Sequence, residues 1–106
     1  MFDMVEEQSS LNKRSLAGEL FSLLADVYTT SFRAQVCHWN VKGPEFHQFH
    51  AFFAMIYEDV YSSVDDIAEN IRKIGFDAPT NLSDMCAATM IRDENMTSDP
   101  LDLTMA

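Results

Sequence analysis

Residues His38–Glu69 read HWNVKGPEFHQFHAFFAMIYEDVYSSVDDIAE. A histidine is followed by a short Gly-Pro turn, a second histidine at His50, and then Asp65 and Glu69, spaced four residues apart. On a helix that spacing puts both carboxylates on one side. Imidazoles and carboxylates carried by helices in this way suit iron, which takes mixed nitrogen and oxygen ligands. On spacing alone, a solvated acidic edge balanced by Arg72 and Lys73 is the plainer reading of Asp65 and Glu69. His50 and Asp65 lie fifteen residues apart on what reads as one helix, which is about 22 Å along its axis. No single ion spans that gap. Either the residues are unrelated, or a second copy of the chain completes the site.

Working outward, the residues before His38 predict a helix from an N-cap at Ser10 to about Asn40. Its apolar stripe runs Leu20, Leu24, Val27, Ser31, Ala34, His38 in steps of four and three, so His38 falls on the packed side. Val41-Lys42-Gly43-Pro44 reads as a tight connection, with Gly43 as a left-handed cap and Pro44 at the first position of the next helix. That second helix is expected to run unbroken to about Ile74, with Gly75 just beyond it. Its stripe is Phe46, Phe49, Phe53, Ile56, Val60, Val64, Ile67, Ile71, Ile74. A short turn between two long helices makes them antiparallel neighbours. His38 and His50 then differ in height by about 3 Å, so a shared cation is within reach of both.

Beyond Gly75 the pattern loosens. Residues 77–80 form a loop containing Pro79, and residues 82–90 a short helix capped by Asn81 or Ser83. Asp99-Pro100 announces a further helix, of which residues 101–104 are the start. Residues 1–9 read as a flexible polar tail. The expectation is one incomplete all-α domain over residues 1–106. It holds two long helices, a short connecting helix and the beginning of a third long one, and its apolar faces await partners.

Seven Lys and Arg against seventeen Asp and Glu leave a net charge of −10. That balance opposes DNA binding, which neutralises phosphates with basic side chains, and suits the gathering of cations. Cys37 and Cys86 are the only cysteines and form neither a CxxC metal motif nor a disulfide framework. Two reduced thiols fit a cytoplasmic protein. No apolar run approaches the roughly 18 residues of a membrane span, and nothing resembles a signal peptide.

The HWNVKGP turn, the second histidine twelve residues after the first, and the D-x-x-x-E pair fifteen residues beyond it together resemble the Dps mini-ferritins. These are the DNA-protection-during-starvation branch of the ferritin-like proteins, and the likeness covers about residues 11–75. It implies a ferritin-like four-helix bundle and a ferroxidase centre shared between two subunits. His38 and His50 would come from one chain, and Asp65 and Glu69 from its two-fold partner. The implied activity is oxidation of Fe(II), with hydrogen peroxide as the preferred oxidant. Ferric mineral would then be stored in a hollow dodecamer, protecting against oxidative stress. Two departures accompany the likeness. The family carries an acidic ligand four residues after the second histidine, where this chain has Ala54, and the chain is short for a four-helix bundle. His47, one turn before His50, is a possible auxiliary ligand. Trp39 either packs in the turn or quenches stray oxidising equivalents. The alternative function is a Dps-like structural shell whose iron chemistry lapsed with Ala54.

Overall fold

The computed structural model describes residues 2–92, 94 and 95, which form helices and connecting turns with no strand among them. Helix α1 spans Phe2–Asn40, α2 Phe46–Tyr61, α3 Val64–Lys73 and α4 Leu82–Ala88. The last three all pack against α1. The stripe expected for α1 is the packed one: Leu24, Ser31 and Ala34 are buried, joined by Ala17, Ala25, Cys37 and Val41. At the turn end, Cys37, Val41 and Phe53 form a buried cluster, with Phe46, Phe49 and Ile56 packed against it.

Helix α1 starts at Phe2, not at the expected Ser10 cap. The residues ahead of Ser10 include good helix formers such as Met4, Glu6, Glu7 and Gln8 and no Gly or Pro, so nothing in them breaks the helix. Residues 4–16 are exposed within this chain.

The connection after α1 follows the sequence closely. Gly43 has φ +112°, a left-handed conformation that glycine adopts without strain. The amide of Phe46 donates to the Gly43 carbonyl at 3.1 Å. Pro44 lies within this turn, two residues ahead of α2, and not at the first helical position.

The second long helix is not continuous. It breaks at Ser62–Ser63, dividing α2 from α3. Both serine hydroxyls donate back to carbonyls three residues earlier, Ser62 to Asp59 at 2.5 Å and Ser63 to Val60 at 2.8 Å. The Ser63 amide bonds to the Val60 carbonyl at 3.3 Å. Serine side chains competing for backbone carbonyls tighten the helix locally and end its regular ladder. At the far end, Gly75 (φ +96°) closes α3. Its amide donates to Arg72 and that of Phe76 to Ile71, the paired bonds of a Schellman cap.

Helix α4 is capped by Asn81, whose side chain accepts from the Asp84 amide at 2.8 Å, and it ends at Ala88, two residues short of the expected Met90. Asp26 on α1 fixes its exit, accepting from the Thr89 hydroxyl and the Met90 amide, both at 2.7 Å. Ser22 adds a bond to the Ala88 carbonyl. The helix start expected at Asp99–Pro100 lies outside the described residues. No helix among the described residues is long and apolar enough to cross a membrane.

Candidate metal centre

The antiparallel hairpin brings His38 of α1 and His50 of α2 into face-to-face contact. Their ring centroids are 3.6 Å apart and their planes 18° from parallel. Each imidazole also bonds to the other residue's backbone. His38 Nδ1 lies 2.6 Å from the His50 carbonyl oxygen, and His50 Nδ1 lies 2.7 Å from that of His38. A carbonyl oxygen only accepts, so both Nδ1 atoms carry the hydrogen. In a neutral imidazole that leaves each Nε2 as a bare lone pair. Histidines that bind metals have this arrangement, one ring nitrogen anchored by a carbonyl and the other presented to the ion. Both rings are half-buried.

The pair is framed by two more aromatic rings. Phe46 stacks on His50 at 4.8 Å, and Tyr57 meets the His38 ring edge-on at 5.4 Å. In the sequence Phe46 reads only as a core residue, and Tyr57 lies off the apolar stripe. Its spacing of seven residues from His50, two helical turns, is the signal that would have pointed to it.

Asp65 and Glu69 lie on α3, beyond the serine break, and both are exposed. Arg72 does not balance them: its guanidinium bonds to Asp77 at 2.6 Å. Within one copy, no group of three or more His, Cys, Asp or Glu side chains converges among the described residues. The histidines therefore meet in a single chain, and the carboxylates do not join them there.

His47 is exposed and contacts Phe46 edge-on, outside the stacked pair. Trp39 is 56% exposed and sits edge-on to Phe32 at 6.3 Å, so its ring is not packed into the turn. Ala54 lies one turn beyond His50 and is partly buried. The thiols divide by environment: Cys86 is exposed on α4, while Cys37 is buried in the core. Burial pushes the Cys37 thiol above the ordinary cysteine value, against the lowering influence of the Arg33 guanidinium and of its own backbone.

Comparison with known proteins agrees with this architecture. Residues 18–102 match the ferritin-like domain of the Ferritin family. The DNA protection during starvation protein of Helicobacter pylori is 34% identical over 76 residues, 72% of this chain and 53% of that protein. Among solved structures, the DPS protein of Vibrio cholerae O1 superposes with a TM-score of 0.82 at 28% identity, covering 88% of this chain and 58% of that one. It is described as a member of the ferritin-like diiron-carboxylate superfamily. Helicobacter cinaedi CAIP gives a TM-score of 0.69 at 35% identity over 77% of this chain and 58% of its own. The chain thus spans about half the length of the curated relatives it matches. With its helical hairpin, its paired histidines and these likenesses, the chain belongs to the ferritin-like family, in the Dps-type mini-ferritin branch.

Proposed function

We propose that this chain is a subunit of a Dps-type ferroxidase and iron store, with Fe(II) as substrate and hydrogen peroxide as preferred oxidant. The observation that carries this reading is the stacked histidine pair, with both Nδ1–H groups held by carbonyls and both Nε2 lone pairs left for an ion. Two nitrogen donors alone hold iron poorly. Added carboxylates supply the oxygen ligands and negative charge that favour Fe(III) over Fe(II). Asp65 and Glu69 have the right chemistry and a spacing of one helical turn, and a two-fold partner is their route to the histidines.

In the proposed centre His38, Asp65 and Glu69 hold the tighter iron. His50 and a share of Glu69 hold a second, weakened by Ala54. Each Fe(II) gives up one electron and peroxide accepts two, so two irons and one peroxide yield two Fe(III) and two hydroxide ions. The ferric product passes to a mineral core within a homo-oligomeric shell, a dodecamer in the proposed assembly. Removal of both free Fe(II) and peroxide is the basis of protection against oxidative stress. Ala54 favours a second reading, a shell of the same build with impaired ferroxidase chemistry.

Subunit mixing tests the shared centre. Two variants are prepared, His38→Ala/His50→Ala and Asp65→Ala/Glu69→Ala, and each alone is expected to lack the absorbance growth that follows Fe(II) and peroxide. In a two-fold contact a mixed pair has one intact and one doubly damaged site, so an equal mixture regains about one quarter of parental activity. Activity in the parent without recovery in mixed assemblies would show that the ligands are not exchanged between copies. An inactive but fully assembled parent would favour the impaired shell.

A further inference from the structure

The two imidazoles are not an isolated pair. Phe46, His50, His38 and Tyr57 form one continuous column of rings across the α1–α2 hairpin, with successive centroids 4.8, 3.6 and 5.4 Å apart. Phe46 closes the column by stacking within 22° of the His50 plane, and Tyr57 closes the other end edge-on.

The Tyr57 end is anchored independently. Ser31, buried at 6% exposure, donates its hydroxyl to the Tyr57 carbonyl at 3.1 Å. Ser31 lies seven residues before His38 on α1, and Tyr57 seven residues after His50 on α2. The serine–tyrosine bond and the reciprocal histidine bonds are therefore two rungs of the same antiparallel register, one heptad apart. A slip of either helix breaks both rungs together.

We propose that Phe46 and Tyr57 are positioning residues for the imidazole pair, closing a four-ring column that holds both histidines as Nδ1–H, Nε2-bare donors before any cation or partner subunit arrives. Without its end rings the pair keeps only one stacking neighbour per imidazole. Each ring can then turn away from the opposing carbonyl and exchange its hydrogen between the two nitrogens. The cost of ordering two imidazoles would then fall on cation binding itself. The part concerning ion binding rests on the iron reading above, whereas the tautomer of the free protein does not.

The test uses the full chain in two measurements. Nitrogen-15 NMR of the metal-free protein at about pH 8 reports which ring nitrogen carries the hydrogen. Titration with Co(II) alone, followed by its visible spectrum, reports ligation by imidazole. The parent is expected to show one Nδ1–H tautomer at both histidines. Phe46→Leu and Tyr57→Leu are expected to show mixed tautomers and Co(II) binding weakened about three- to tenfold.

Tyr57→Phe retains the ring and is expected to keep the parental signature. Ile71→Val, at a buried α3 position outside the α1–α2 hairpin and its turn-end cluster, lowers stability and leaves the tautomer unchanged. Leucine variants that retain the pure Nδ1–H tautomer and parental Co(II) affinity overturn the proposal, as does a parent with mixed tautomers. If Tyr57→Leu does not fold, Phe46→Leu decides, since Phe46 is the first residue of α2 and only partly buried. A parent that takes up no Co(II) counts against the iron reading, while the tautomer comparison still decides the role of the column.

Discussion

The reciprocal histidine bonds make a quantitative prediction that needs no metal. The His38 carbonyl lies in the last turn of α1, where carbonyls run out of amides in their own helix. The His50 Nδ1–H reaches it at 2.7 Å and acts as a C-terminal cap supplied by the neighbouring helix. His50→Ala removes this bond and the stacked ring at once. A net hydrogen bond is worth about 0.5–1.5 kcal/mol and an aromatic contact about 0.5–1.5 kcal/mol beyond its buried area. Half-burial allows water to repay part of the loss, so each alanine variant is expected to cost about 2 kcal/mol. The stack is counted in both single variants but can be lost only once. The double variant should therefore cost less than the sum, with a coupling of about 1 kcal/mol, the value of the stack. Denaturant unfolding of parent, His38→Ala, His50→Ala and the double variant measures it, in chelator and at one fixed protein concentration. A coupling within the roughly 0.3–0.5 kcal/mol of simple additivity would refute the reciprocal clasp.

Other outcomes follow from burial and charge. Phe53→Ala, at a position only 4% exposed within the turn-end cluster, should destabilise the chain by about 3–5 kcal/mol in the same assay. Thiol labelling should modify Cys86 in the native chain. Because burial raises the Cys37 value and makes its thiolate scarcer at any given pH, Cys37 should react only at higher pH or after unfolding. Ala54→Asp should tighten the weaker iron position by at least about tenfold, or 1.4 kcal/mol, in anaerobic Fe(II) calorimetry, and should speed oxidation. Two equally tight irons in the unmodified protein would instead assign the missing role to His47. A gel-shift assay at physiological salt should show no retardation of DNA by a chain of net charge −10, and tight, salt-sensitive binding would reveal a localised basic patch.

The helices, their packed stripes and the turn between α1 and α2 were legible in the sequence, because all three are local. A 3.6-residue period selects the buried face, and the left-handed conformations at Gly43 and Gly75 suit glycine best. The same periodicity placed His38 and His50 at similar heights on facing helices, so their meeting was also legible. The break at Ser62–Ser63 was not, since the apolar stripe runs through it undisturbed and only the hydroxyl bonds to Asp59 and Val60 end the ladder. Nor was the role of Asp26, whose partners Thr89 and Met90 lie more than sixty residues away and meet it only when α4 docks on α1. The tautomers, too, belong to the tertiary structure. Sequence spacing brings two imidazoles together, but which nitrogen is left bare depends on two carbonyls that face them across the hairpin. Asp65 and Glu69 show the limit of a single chain. Helical rise alone sets Asp65 about 22 Å and Glu69 about 28 Å beyond His50, so the spacing left two readings open, unrelated residues or a second copy, and one chain by itself does not bring these carboxylates to the histidines.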